Sequence, residues 1–401
     1  MSGNRVLALV LLGGVMLIDG YDLNAMALAV PWLAPELGLE PTAFGIVHSA
    51  VLLGLGAGAL LVAPLGDRIG RKPVIVGGCL AIAVATFATG LSASITAFAI
   101  WRLLTGIALG ACLANVSALS AEMAPEGKRS TMMALVSAGI SIGALIAGFT
   151  APELVDLGGW RMLFFLPGVI ALTLAIGLAL VLPRDERVSQ APSAARAKVP
   201  LVELLRPPLL LPLAVFAGAY TLNAVALYML ISWTPVVLPQ AGFPVDLAAR
   251  VQGLLQGCGL VVGIGLAVLL DRWKPGAALA LGYAVIAAAF VAIWATPPAP
   301  VLWSVLLLVA GGGVSGIHAA LMALTPKLFP SRVLSSAIGT GVAVSRIGAV
   351  AAPLIGGALI AGGIAPAAYF LTLVVPVAIC AALVLLVPRA MRASEAEPVR
   401  A

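Results

Sequence analysis

The segment VLALVLLGGVMLIDGYDLNAMALAV, residues 6–30, carries no charge other than Asp19 and Asp22. A helix needs about 20 apolar residues, at about 1.5 Å each, to cross the ~30 Å hydrocarbon core of a bilayer. This run is long enough. It exceeds the apolar core of a cleaved leader and lacks a small-residue cleavage site, so it is expected to stay as a first membrane span. The whole chain has the same character. Of its 401 residues, 62% are hydrophobic and 9% charged, against about 45–50% and about 25% in soluble domains. So few charges cannot cover a soluble surface of this size. Disordered chains and DNA-binding domains are excluded on that ground, and no nucleic-acid partner is expected despite the net charge of +6.

Eleven further apolar runs follow the first, each bounded by Pro, Gly or charge. With Val6–Val30, the first six are Phe44–Leu65, Val74–Leu91, Ile95–Leu119, Thr131–Thr150 and Met162–Leu182. The second six are Leu209–Thr234, Val251–Leu270, Ala277–Ala295, Val301–Ala323, Leu334–Ile360 and Pro366–Val387. With the N-terminus inside, eighteen of the twenty-two Lys and Arg residues fall on one side of the membrane. Only Arg161 and Arg250 fall on the other, and Arg102 and Arg346 lie within spans. Basic residues concentrate on the cytoplasmic side of membrane proteins, so both termini are expected there. Four cysteines (Cys79, Cys112, Cys258, Cys380) sit inside apolar runs with no metal-type spacing and read as small buried hydrophobes.

The longest connection, 183–208, is rich in Pro, Ala and basic residues and reads as a cytoplasmic linker. It separates an N-terminal half, 1–182, from a C-terminal half, 209–401. An internal repeat supports that division. Gly20-Tyr-Asp-Leu-Asn-Ala-Met-Ala-Leu28 matches Ala219-Tyr-Thr-Leu-Asn-Ala-Val-Ala-Leu227 at an offset of 199. Leu65-Gly-Asp67-Arg68 matches Leu269-Leu-Asp271-Arg272 at 204, and Ser141-Ile-Gly-Ala144 matches Arg346-Ile-Gly-Ala349 at 205. The fold class is therefore an all-α membrane protein of twelve transmembrane helices in two six-helix halves. Parallel repeats of this kind imply alternating access, with solute bound at mid-membrane between the halves.

Charges inside a membrane are costly, so each marks a candidate site. Asp19 and Asp22 share a helix face at i,i+3, perhaps ~5–6 Å apart. Two carboxylates that close in low dielectric cannot both ionise cheaply, so one is expected to hold a proton and to couple proton movement to transport. Their repeat positions are Gly218 and Thr221, so the scaffold itself needs no acid there. Asp22, nearer the outer side, is the favoured carrier, and Asp19 is left to helix packing or to pairing an arginine. Arg102 and Arg346 have sequence depths compatible with one shared cavity. A guanidinium grips carboxylates bidentately, which suits an anionic substrate. The alternative for each is a bridge to an aspartate that fixes a gate.

Gly66-Asp67-Arg68-Ile69-Gly70-Arg71-Lys72 joins spans two and three on the cytoplasmic side. Its charges, with Asp271 and Arg272 of the repeat copy, are expected to bind neighbouring helices in one conformational state and so to gate the cycle. Further candidates for the substrate site are polar or aromatic residues within spans. His318 reads equally as a core histidine. Asn24 and Asn223 occupy equivalent repeat positions, so symmetry explains them as well as binding does. Gln252 and Gln256 share a face of span eight. Tyr220, Tyr228 and Trp233 of span seven could stack on an aromatic ring; the alternative is the interfacial aromatic belt, above all for Trp233. His48, near the outer end of span two, reads as interfacial. The glycines of spans two, five and ten report close helix packing. No phosphate loop, zinc motif or nucleophile elbow is present, so no enzyme, metal or cofactor is expected.

The Asp67-Arg-x-Gly-Arg-Lys run resembles the signature loop of the major facilitator superfamily, departing only at its first glycine, which is Ala63 here. Asp19-Gly-Tyr-Asp22, Arg102-x-x-Thr-Gly-x-x-x-Gly110 and Arg346-Ile-Gly-x-x-x-x-Pro353 are similar to segments of its aromatic acid:proton symporter family. That resemblance implies the major facilitator fold in a bacterial cytoplasmic membrane. It implies a monomeric, proton-coupled importer of a small aromatic carboxylate, in which the first-span acids and Arg102 are tied to transport. A proton symporter of a non-aromatic acid, or a drug:proton antiporter, is the alternative; the surplus of intramembrane arginine favours an anion.

Overall fold

A computed structural model describes residues 3–125, 128–182 and 201–395. Among these residues all regular structure is helical. Twelve helices are long and apolar enough to cross a membrane. They are α1 (Asn4–Leu37), α2 (Pro41–Ile69), α3 (Arg71–Gly90), α4 (Ile95–Met123), α5 (Thr131–Gly158) and α6 (Met162–Val181). The second six are α7 (Leu210–Gln240), α8 (Val245–Arg272), α9 (Pro275–Ala295), α10 (Pro300–Leu328), α11 (Ser331–Ala361) and α12 (Pro366–Val384).

Several helices outrun the apolar segments that announce them. Helix α1 continues through Pro31 and Pro35, and α7 through Pro235, where the sequence suggested ends at Val30 and Thr234. Proline removes one backbone donor, but packed neighbours can satisfy the carbonyls around it. Trp233, expected in the interfacial belt, is instead wholly buried and donates its Nε1–H to the Pro353 carbonyl on α11 at 3.0 Å. The expected turn at Gly66–Lys72 is nearly all helix. Leu65–Ile69 completes α2 after a π-turn at Gly58–Val62, and only Gly70, at φ 94°, breaks the path before α3 begins at Arg71. A left-handed φ there admits glycine and disfavours other residues.

By packing, the chain falls into two compact units, Met1–Ala194 with Pro244–Gly253, and Ala195–Phe243 with Leu254–Ala401. The N-terminal turns of α8, through Gly253, thus belong to the first unit. Of the expected linker, 183–200 lie outside the described residues. Within the first unit α1 packs on α4, α5 and α6, α4 packs on α2 and α3, and α3 packs on α6. The second unit repeats this inside itself: α7 packs on α10, α11 and α12, α9 on α10 and α12. Gly312 and Gly316 of α10 admit Cys258 and Val262 of α8. The same pairings at a common offset are the structural counterpart of the sequence repeat.

Glycine sets the closest of these approaches. A Cβ on Gly106 of α4 would stand 2.1 Å from the Val51 carbonyl of α2, and one on Gly58 would stand 2.0 Å from that of Ile107. Side chains on the outer faces, such as Leu180 and Val301, each 80% exposed, are what a lipid-facing surface requires and a water-facing one avoids. Gly106→Val should therefore force α2 and α4 apart, lowering the apparent melting temperature in detergent by an amount equivalent to at least about 1–3 kcal/mol. Gly77→Ala, where a Cβ meets nothing within 4 Å, should leave the melting temperature unchanged or slightly raised.

Candidate functional site

Three helices of the first unit converge on one carboxylate. Arg102 of α4 places Nη1 2.7 Å from Asp22 Oδ2, with both side chains 0% exposed. Its Nη2 donates to the Asp22 main-chain carbonyl at 2.7 Å. Thr86 of α3 donates to the other carboxylate oxygen at 3.2 Å. The Nη1 contact is close but off the N–H axis, so charge attraction and the Nη2 bond hold the guanidinium. The glycines of Arg102-x-x-Thr-Gly106-x-x-x-Gly110 explain the placement: Gly110 and Gly106 seat α4 against α2, fixing the helix that aims Arg102 at α1.

Arg102 therefore stands in the bridge arrangement, and the aspartate it meets is Asp22, where the sequence suggested Asp19. One helical turn decides between them. Asp22 lies further toward the C-terminal end of α1, and Arg102 lies within the first turns of α4, which pack beside that end. Asp19 is buried, 4% exposed, with its charge close enough to bear on Cys112, deeper along α4. His48 of α2, expected at the interface, is buried at 4% exposure within the field of Arg102. Asn24 Nδ2 bonds the Gly20 carbonyl at 2.9 Å, while its Oδ1 accepts from Gln252 Nε2 at 3.1 Å. Gln256, one turn along α8, is half-buried without a hydrogen bond among the described residues.

In the second unit the buried polar centre is Asn223 of α7. Its amide nitrogen donates to the Val314 carbonyl at 3.1 Å and lies 3.2 Å from His318 Nδ1. Its oxygen accepts from the Tyr283 hydroxyl of α9 at 3.1 Å. The Tyr220 and His318 rings are parallel, 4.1 Å apart at 15°, and Phe216 stacks on the other side of Tyr220 at 5.4 Å. Arg346 of α11 is half-buried and makes no ion pair among the described residues. Its charge reaches both stacked rings. Tyr228, two turns along α7 from Tyr220, is half-buried.

The gating candidates separate by partner. Asp67 and Arg68 are exposed. Arg71 pairs with Glu122 of α4 at 2.7 Å, and Lys72 donates to the Leu182 carbonyl at the end of α6. Gly66 lies so close to Asn115 that a Cβ would stand 1.8 Å from its Oδ1, while Asn115 Nδ2 donates to the Ala63 carbonyl at 3.1 Å. In the second unit Asp271 pairs with Lys327 of α10 at 2.8 Å, and Arg272 is exposed. Glu122 and Lys327 lie at the repeat offset of 205 and bear opposite charges. Thr86, Asn115, Glu122, Tyr283 and Lys327 escaped the sequence reading. The one available signal was a polar side chain within or ending an apolar run, and the repeat alignment singles out only the last pair. Among the described residues no cluster of His, Cys, Asp and Glu could hold a metal.

A twelve-helix repeat with an ion pair buried inside one half defines a membrane transporter, and the sequence places it. Residues 11–340 match the model of the major facilitator superfamily, and the chain belongs to that family. It is 31% identical to a gallate transporter of Pseudomonas putida, over 95% of this chain and 91% of the relative. It is 32% identical to a 3-(3-hydroxy-phenyl)propionate transporter of Escherichia coli K12, over 87% and 85%. It is 28% identical to a 4-hydroxybenzoate transporter of Pseudomonas aeruginosa, over 93% and 90%. The crystal structure of a bacterial homolog of the human lysosomal transporter Spinster, inward-facing and unoccupied, superposes with a TM-score of 0.81 over the whole of both chains. At 17% identity that likeness bears on the fold alone.

Breaking a buried pair by removing one partner strands a charge. Asp22→Ala or Arg102→Ala should each cost about 3–5 kcal/mol of stability, read as thermal unfolding in detergent. The double variant Asp22→Ala with Arg102→Ala should lose markedly less than the sum of the two single changes. Additive losses would mean that the two side chains do not interact.

Proposed function

We propose that this protein imports a small aromatic carboxylate together with protons across a bacterial cytoplasmic membrane, with both termini inside and the single chain as the working unit. The observation that carries this reading is the unequal state of the two intramembrane arginines. Arg102 is paired with the Asp22 carboxylate, whereas Arg346 is half-buried beside a stacked pair of rings and makes no ion pair among the described residues. A cation beside an aromatic stack suits an aromatic anion. The relatives named above, which carry hydroxylated aromatic acids, agree with that chemistry.

In this reading Arg346 binds the substrate carboxylate, Tyr220 and Tyr228 border the ring, Gln256 and His318 supply polar contacts, and Asn223 and Asn24, their amides already bonded within the protein, position their neighbours. Asp22 carries the proton. While Arg102 holds it, the carboxylate stays charged at low cost; once a rearrangement draws the guanidinium away, a buried carboxylate favours its protonated form. The proton and Arg102 thus compete for one group, which links protonation to conformation. Asp19 sits a turn further in as a second acid on the same route. Asp67, Arg68 and Arg272, exposed here, are available to bind neighbouring helix ends in the alternate state, while Arg71 and Lys72 brace the helix ends beside Gly70 and Asp271 braces α8 against α10 through Lys327.

Uptake of labelled 4-hydroxybenzoate, gallate and an aliphatic acid into proteoliposomes tests the reading. Aromatic acids should accumulate when the outside is acidic, and a protonophore should abolish the accumulation. Preference for the aliphatic acid, or accumulation without a pH gradient, would contradict it. Arg346→Ala should weaken acid binding by about 2–4 kcal/mol, with Lys restoring only part of it. Asp67→Ala should abolish net uptake yet leave affinity nearly intact; a large affinity loss with normal turnover would remove its gating role.

A further inference from the structure

The hydrogen bonds around His318 fix where its ring hydrogen sits. Its Nδ1 lies 3.2 Å from Asn223 Nδ2, and that contact alone does not say which nitrogen donates. The next contact does. Asn223 Nδ2 also points at the Val314 main-chain carbonyl at 3.1 Å, a group that only accepts, so this atom must be the amide nitrogen. The amide oxygen, on the other side, accepts from Tyr283 at 3.1 Å. One hydrogen of the amide goes to Val314, and the other faces His318. Nδ1 of His318 must therefore accept. A neutral ring that accepts at Nδ1 carries its hydrogen on Nε2, and an imidazolium would set one N–H against another.

The surroundings leave that assignment unopposed. Tyr220 faces the ring from α7, Tyr283 closes the amide from α9, and Arg346 bears on the ring from α11. Cys258 of α8 lies against Gly312, and Cys380 of α12 bonds the Ala219 carbonyl at 3.4 Å. None of these groups is a carboxylate that would draw a proton onto the ring. Stacking on Tyr220 holds the ring plane. Nε2 makes no hydrogen bond among the described residues, and the side chain is half-buried, so this N–H is open to a solute.

We propose that His318 is a fixed, neutral hydrogen-bond donor: Asn223 and Tyr283 hold its hydrogen on Nε2, and Nε2–H acts beside the Arg346 guanidinium on an oxygen of the substrate carboxylate. The identity of that acceptor rests on the aromatic-acid reading above; the position of the hydrogen does not. Asn223 and Tyr283 are positioning residues, acting through His318. His318 then selects substrate without carrying protons, which leaves proton coupling to the first half.

The protein has two histidines, so NMR of isotope-labelled histidine nitrogens in the intact protein is tractable, with His318→Gln assigning the signals. The native spectrum should show the neutral Nε2–H form of His318, unchanged between about pH 6 and about pH 8. Asn223→Asp, which replaces the donor by an acceptor of the same shape, should move the hydrogen to Nδ1. A native ring protonated at Nδ1, or one that titrates in that range, overturns the inference. With 4-hydroxybenzoate as the probe, His318→Leu should weaken binding about tenfold or more. His318→Gln, whose amide nitrogen can replace Nε2, should stay close to native. Native affinity in the Leu variant overturns the binding role. If the native protein shows the expected tautomer but binds no aromatic acid, the substrate reading fails and the tautomer assignment stands.

Discussion

Two opposite charges with no access to solvent must satisfy one another, and in the first half of this protein that constraint organises three helices. Arg102 reaches from α4 to the Asp22 carboxylate and to the Asp22 carbonyl, while Thr86 of α3 holds the second carboxylate oxygen. A well-packed apolar replacement would be at least as stable as such a pair, so stability does not account for its presence. The proposed competition between a guanidinium and a proton for one carboxylate would. In that proposal neither partner leaves the other without a replacement charge, so a movement of α4 against α1 and a change of protonation would be a single event.

The repeat shows which parts are scaffold and which are chemistry. Helix pairings recur in both units, and Asn24 and Asn223 recur with them. The acid does not recur: position 221 is threonine where position 22 is aspartate. In the second unit the corresponding polar centre is uncharged, built from Asn223, Tyr283 and His318, and the cation beside it, Arg346, makes no ion pair among the described residues. One half thus holds a closed ion pair and the other an open cation beside aromatic rings. At the C-terminal ends of α4 and α10 the same repeat position carries Glu122 in one half and Lys327 in the other, paired to Arg71 and to Asp271. The bracing is retained while its sign is reversed, so the two helix ends differ in the charge they offer to neighbours.

Span number and order were legible because a bilayer demands about 20 apolar residues per helix, a requirement no tertiary context overrides. Helix ends were not, since Pro31, Pro235 and Pro326 read as stops but lie inside helices whose neighbours satisfy the interrupted backbone. Asp19, Asp22, Arg102 and Arg346 declared themselves by the cost of charge in an apolar run. Their partners did not: that Arg102 meets Asp22 rather than Asp19 depends on the depth at which α4 crosses α1, and that depth is set by glycine contacts distant in sequence. Trp233 and His48 were misplaced at the interface for a related reason. Hydropathy reports how far along a helix a residue lies, whereas burial depends on which way it faces. Thr86, Asn115 and Tyr283 are common residue types whose importance comes only from what stands opposite them.

Infrared difference spectroscopy on the reconstituted protein tests the central claim, that Asp22 is the group for which Arg102 and the proton compete. Acidification should produce a band from a protonated carboxyl group. The account predicts that this band disappears in Asp22→Asn, survives in Asp19→Asn, and appears at higher pH when Arg102 is replaced by glutamine. A band that survives in Asp22→Asn and is lost in Asp19→Asn would contradict it and assign the proton to Asp19.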